Sequence, residues 1–117
     1  MQTPPTLRQM LEGLIATPSI SSVSPEFDQS NEVVVRLLAD WTEAAGFATE
    51  VLPVPGQAGK YNLIATLGQG PGGLVLAGHT DTVPFDASRW RHDPFRLTED
   101  RGRLYGLGTC DMKSFLA

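Results

Sequence analysis

Near the start of the chain the apolar positions recur with a helical period. Leu7, Met10, Leu11, Leu14 and Ile15 stand at i, i+3, i+4, i+7 and i+8, which predicts an amphipathic helix ended by Pro18. A polar loop over Ser19–Ser24 follows. A second helix is predicted from about Pro25 or Ser30 to Ala45, with Val34, Leu38, Trp41 and Ala45 on one face and Gly46 as its stop. Beyond Gly46 the period changes. Phe47–Val54 alternates as a strand does, and Pro53 and Pro55 mark that strand as short or at an edge. Tyr61–Leu67 predicts a second strand and Leu74–Ala77 a third, whose unbroken apolar run suits a strand covered on both faces near the centre of a sheet. Phe95–Glu99 and Arg103–Gly106 flank Asp-Arg-Gly, a hairpin turn. Helices followed by such strands indicate an α/β layer.

Composition narrows the class. The 117 residues carry 9 Lys plus Arg against 13 Asp plus Glu, a net charge of -4, so no basic surface recruits nucleic acid or anionic lipid. Hydrophobic residues at 41% and charged residues at 19% suit a globular chain and speak against disorder. The apolar runs are far shorter than the roughly 20 residues of a membrane helix. The N-terminus shows neither a basic region nor an apolar core followed by a small-residue cleavage site. The single cysteine, Cys110, has no internal disulfide partner, and a cytoplasmic setting is the expectation. The closing run Asp111–Ala117 begins a helix-competent stretch without a cap. The expectation is therefore the N-terminal part of a longer protein.

Three segments carry candidate chemistry. Gly68-Gln69-Gly70-Pro71-Gly72-Gly73 fits the dinucleotide pattern G-x-G-x-x-G. In a nucleotide site, however, the third glycine opens a helix whose amides meet the phosphates. Here the glycines lead into a strand pattern and Pro71 removes an amide, so a tight turn between strands explains them. The second segment, Gly78-His79-Thr80-Asp81-Thr82-Val83-Pro84, sits where the apolar strand should end, the region where open α/β sheets collect ligands. His79 with a carboxylate two residues on has the parts of a metal ligand and its orienter. It equally fits a histidine that hydrogen-bonds its own loop.

The third segment is Gly106-Leu107-Gly108-Thr109-Cys110-Asp111-Met112-Lys113. Asp111 can cap a following helix or bridge two metal ions, one oxygen to each. Both readings stand at this level. Cys110, with small neighbours and no base fitted to it, is expected to be a buried structural cysteine. His92 is expected on the surface of a loop anchored by burial of Trp90 and Phe95. Lys113 is expected in solvent rather than on an anion.

Taken together, LVLAGHTDTVPFD, Trp90-x-x-Asp93-Pro94-Phe95 and GRLYGLGTCDMKSF resemble the M20 family of zinc-dependent amidohydrolases and peptidases. The resemblance extends over essentially the whole chain, including Pro18-Ser19-Ile20-Ser21 after the first helix. Asp81-Thr82-Val83-Pro84-Phe85-Asp86 together with Gly106-Leu107-Gly108-Thr109 leans toward the deacetylases of that family rather than the desuccinylases. Cys110 and Ser114 stand where the family often has alanine and glycine.

The resemblance implies an α/β fold, specifically the N-terminal part (residues 1–117) of a three-layer α/β/α catalytic domain with a mixed sheet. It implies that the remainder of that domain and a dimerisation domain lie outside these residues. It makes His79 a ligand of one zinc ion, Asp111 the carboxylate bridging two, and Asp81 the residue that holds His79, with cobalt as a substitute metal. The general-base glutamate and the remaining ligands are implied to come later in such chains. The implied activity is hydrolysis of the amide bond of a small N-acyl amino acid by a homodimer, with neither nucleic acid nor membrane as partner. Another N-acyl amino acid hydrolase of the family, such as a desuccinylase, is the nearest alternative, and a non-catalytic binding module that keeps the fold is the alternative from another class.

Overall fold

A computed structural model describes residues 3–117. Helix α1 spans Leu7–Ala16. It starts in a capping box: the Thr6 hydroxyl accepts from the Gln9 amide, and the Gln9 side-chain oxygen accepts from the Thr6 amide at 2.9 Å. The reciprocal bonds satisfy donors that a helix N-terminus leaves open. Leu14 and Ile15, from the predicted apolar face, are buried. Helix α2 spans Glu32–Ala44 and stops at Gly46, whose φ of +92° is the left-handed conformation that ends helices.

The two helices meet through Leu14, Val34 and Leu38, with Trp41, Leu63 and Leu116 packed against that cluster. Strands β1 (Ala48–Pro53) and β2 (Tyr61–Thr66) form an antiparallel pair with Val51 opposite Leu63 and Thr49 opposite Ala65. Those four residues are half-buried, whereas Leu52 and Ile64 on the other face are exposed. Alternation with period two has sorted the pair into a covered and an open face, with α2 against both strands. The predicted hairpin is present as β3 (Thr98–Asp100) and β4 (Arg103–Tyr105). Its two linking residues, Arg101 and Gly102, have φ of +51° and +74°, as a tight hairpin turn of the primed type requires.

The α/β class holds, and one predicted element is corrected. Residues 74–77 join no ladder, and Leu74, Val75 and Leu76 are 83%, 89% and 74% exposed. A continuous apolar run becomes a central strand only where backbone partners flank it and layers cover both faces. Among the described residues neither is present at 74–77. Among the described residues both ladders are antiparallel, and the single parallel pairing is an isolated bridge between Ile20 and Thr82. The glycine segment 68–73 is an exposed loop with Gly68, Gly70, Gly72 and Gly73 all at positive φ, and no helix follows it to receive a phosphate. No helix among the described residues is long and apolar enough to cross a membrane.

Candidate metal centre

Two segments distant in sequence are brought together by a third. The stretch after α1, residues 17–21, grips residues 80–82: the Ser19 hydroxyl donates to the Thr80 carbonyl at 2.6 Å, the Thr82 amide donates to the Ser19 carbonyl at 3.1 Å, and the Ser21 amide donates to the Thr82 carbonyl at 2.9 Å. Asn31, just ahead of α2, adds a clamp. Its amide nitrogen donates to the Tyr61 carbonyl at 2.9 Å and to the Thr80 hydroxyl at 3.0 Å, while its oxygen accepts from the Tyr61 amide at 2.8 Å. His79 is thereby presented at the start of a held segment.

The second segment is the loop 106–113 that follows the hairpin. Gly106 is buried against Ile15, and a β-carbon built on Gly108 would stand 3.0 Å from the Thr82 methyl. The glycines are needed because backbone passes where a side chain has no room. At the end of the loop the Lys113 amide donates to the Gly108 carbonyl at 2.9 Å. The Lys113 ammonium donates to the carbonyls of Leu14 at 3.0 Å and Thr17 at 2.6 Å. Lys113 is 1% exposed, which corrects the expectation of a solvated lysine. Burial pushes its ammonium down to about 8.

The two segments meet at His79. Its Nε2 lies 2.9 Å from Asp111 Oδ1, and its Nδ1 lies 3.1 Å from both the carbonyl oxygen and Oδ1 of Asp81. Slight burial lowers the imidazole pKa, but the Asp81 carbonyl, the Asp111 carboxylate and the two negative charges outweigh it, and the net shift is upward. Asp111 does not cap the 3-10 turn Lys113–Leu116, which has no side-chain cap. Its side chain is 85% exposed, with His79 as its hydrogen-bond partner.

The arrangement brings His79, Asp81 and Asp111 together. They share a cavity of about 350 Å³ with Val83, Trp90 and Cys110. Cys110 is exposed, which corrects the expectation of a buried cysteine: its small neighbours form a loop surface instead of a core. Trp90 is half-buried and reaches the cavity, and Phe85 holds it edge-to-face at 6.2 Å while also meeting Phe95 at 5.5 Å. His92 is half-buried instead, 4.7 Å from the Tyr105 ring and 3.9 Å from an Asp100 oxygen, and does not line the cavity.

The donor set suits a divalent metal. An imidazole nitrogen and a carboxylate oxygen are zinc donors with bonds of about 2 Å each, so two of them on one ion stand roughly 3 Å apart. The 2.9 Å between His79 Nε2 and Asp111 Oδ1 is of that order. The Asp81 carbonyl stands 3.1 Å from the other nitrogen, where it would accept the Nδ1 proton and leave Nε2 for a bound metal. Among the described residues no group of three or more His, Cys, Asp or Glu side chains is gathered as a metal site, so this is a pair of donors rather than a closed cage. The roles of Ser19, Asn31 and Lys113 carried no local signal, because each acts on backbone far away in sequence.

Residues 75–117 match the family model described as Peptidase family M20/M25/M40. The chain is 57% identical to acetylornithine deacetylase of Pasteurella multocida (strain Pm70) over 117 residues, 100% of this chain and 31% of that protein. It is 60% identical to acetylornithine deacetylase of Proteus mirabilis (strain HI4320) over 97% of this chain and 29% of that protein. Identity to the acetylornithine deacetylase of Shigella sonnei (strain Ss046) is 58% over 97% of this chain and 30% of that protein. The chain thus spans about 30% of the length of the curated relatives it matches.

Proposed function

From the match of residues 75–117 to the model of peptidase family M20/M25/M40, we propose that this chain belongs to that family, that it supplies the opening part of a zinc-dependent amidohydrolase and that His79 and Asp111 are ligands in its metal site. The substrate in this reading is N-acetyl-L-ornithine, cleaved to ornithine and acetate, as the names of the relatives suggest. The observation that carries it is the 2.9 Å approach of His79 Nε2 to Asp111 Oδ1 across 32 residues of sequence. The setting is the cytoplasm, as a homodimer acting in arginine biosynthesis.

Zinc in such a site lowers the pKa of water toward about 7 and polarises the scissile carbonyl. The residues of this chain hold and orient. The Asp81 carbonyl would accept the Nδ1 proton, with the Asp81 carboxylate 3.1 Å from the same nitrogen, and so keep Nε2 as the donor to metal. The Asp111 carboxylate, in a side chain 85% exposed and with Oδ1 at His79 Nε2, would be available to both ions of a dinuclear site. Trp90 and Val83 give the cavity an apolar wall beside that polar edge. Proton delivery to the leaving amine falls to a glutamate outside residues 1–117.

A chimera tests the reading: residues 1–117 replace the matched 31% of the Pasteurella multocida protein. Zinc-dependent hydrolysis of N-acetylornithine, lost in Asp111→Ala together with zinc retention, supports it. A folded chimera without hydrolysis, or an Asp111→Ala chimera with full turnover and full zinc, overturns it.

A further inference from the structure

We propose that Lys113 is a positioning residue: its ammonium fastens the loop that carries Asp111 to the C-terminus of α1, and so sets where the carboxylate stands relative to His79. The proposal rests on the reading of His79 and Asp111 as metal ligands.

The last carbonyls of a helix lack intrahelical donors and carry the negative end of the helix dipole. Helix α1 has no basic residue in its last turn. Lys113 supplies the cation from 96 and 99 residues away, donating to the carbonyls of Thr17 and Leu14. With 1% of the residue exposed, the charge sits away from water, and it persists there because hydrogen-bond acceptors face it. The aliphatic stem is fixed as well. A β-carbon on Gly108 would lie 3.1 Å from Lys113 Cδ and 3.2 Å from Cγ.

What makes this more than a helix cap is the position of Asp111. Its side chain is 85% exposed, and among the described residues its hydrogen-bond partner is His79. No packing aims it, so the loop backbone must. That loop is closed on itself by the Lys113 amide to the Gly108 carbonyl and tied to the body of the protein by the Lys113 side chain, two residues past Asp111. The segment carrying His79 is tied to the same stretch of chain by Ser19. Both ligands are thus referred to one frame, residues 14–21, and Lys113 is the link on the Asp111 side.

The test compares Lys113→Met with Leu38→Ala in the chimera described above. Leu38 is buried in the helix core, outside the cavity. Lys113→Met is expected to weaken zinc binding and lower kcat by about tenfold or more, the range for residues that orient ligands, with KM changed little. Leu38→Ala is expected to lower Tm while the folded protein binds zinc as before. A second readout needs neither metal nor activity: the His79 Nε2 proton resonance in the metal-free protein, which reports the hydrogen bond to Asp111, should lose its downfield shift in Lys113→Met and keep it in Leu38→Ala. If Lys113→Met fails to fold, Lys113→Gln, which retains one donor group, carries the same comparison with a smaller expected loss. Lys113→Met that loses Tm alone, with zinc binding and the His79 resonance unchanged, overturns the proposal. A wild-type chimera that binds no zinc sinks the metal reading instead, and the His79 resonance still decides the role of Lys113.

Discussion

Gly106 and Ile15 are in contact so close that a β-carbon built on Gly106 would lie 2.6 Å from Ile15 Cγ2. The loop leading to Asp111 leaves the hairpin directly over helix α1, and hydrogen is the only side chain that clears the isoleucine methyl. Gly106→Ala is therefore expected to destabilise the chain by about 1–3 kcal/mol, the range for overpacking a filled site. Ile15→Ala should be destabilising by itself through the cavity it leaves. The double variant should be less destabilised than the sum, because removing the methyl makes room for the new one. Urea unfolding of the four proteins measures this, and strict additivity would show that the two residues do not collide.

Asp81 offers His79 two acceptors, a carbonyl and a carboxylate oxygen, both 3.1 Å from Nδ1. Asp81→Ala removes only the second. Zinc affinity in the chimera should fall by about tenfold, the lower end of what losing a ligand's orienting partner costs, and by much less than in Asp111→Ala. Calorimetric titration with zinc checks the order. Equal losses for the two variants would make Asp81 a ligand in its own right.

The period of the apolar positions made α1, α2, β1, β2 and the hairpin legible, because each depends on contacts within a few residues or on a turn whose residues announce it. Arg101 and Gly102 are an example: the turn needs positive φ at both, and glycine supplies it readily. Leu74–Ala77 failed for the opposite reason. Apolarity reports a demand for burial, and whether neighbours meet that demand is decided elsewhere in the chain. The meeting of His79, Asp81 and Asp111 was legible only through the resemblance of two motifs, since H-x-D and a glycine-flanked aspartate each have a plain local explanation. Lys113 was misjudged because the carbonyls that hold it belong to a helix end 96 residues away. Cys110 was misjudged because small neighbours suit a tight loop as well as they suit a core.

The loop between Ser22 and Gln29 should loosen in acid. Asp28 accepts from the Lys60 ammonium and the Ser22 amide, each at 2.9 Å. The Lys60 bond first, then the Ser22 bond, hold its carboxyl below the usual 3.8. A carboxyl with a depressed folded-state pKa contributes stability that is complete above its unfolded value and is lost as pH falls through the folded one. Asp28→Asn should therefore lower stability at neutral pH and flatten the part of the acid limb below about pH 4. Because the pair is solvent-accessible, salt should reduce the effect. An acid limb identical in the two proteins at low salt would show that Asp28 takes no part in it.

Cys110 borders the same cavity as Asp111 and is exposed, so its thiol should react in the native protein without denaturant. Reaction with an aromatic disulfide reagent should release one equivalent of thiolate, at a rate close to that of the urea-unfolded chain. Cys110→Ala should abolish it, as the sequence has a single cysteine. The adduct would sit next to the Asp111 carboxylate, on a wall of a cavity of about 350 Å³. Labelling should accordingly weaken zinc binding in the chimera more than Cys110→Ala does, since that substitution only shortens the side chain and adds no bulk beside Asp111. A thiol that reacts only after unfolding would return Cys110 to the interior and move the wall of the cavity. A thiol that reacts freely without affecting zinc would place the adduct away from Asp111 and separate the cysteine from the proposed metal site.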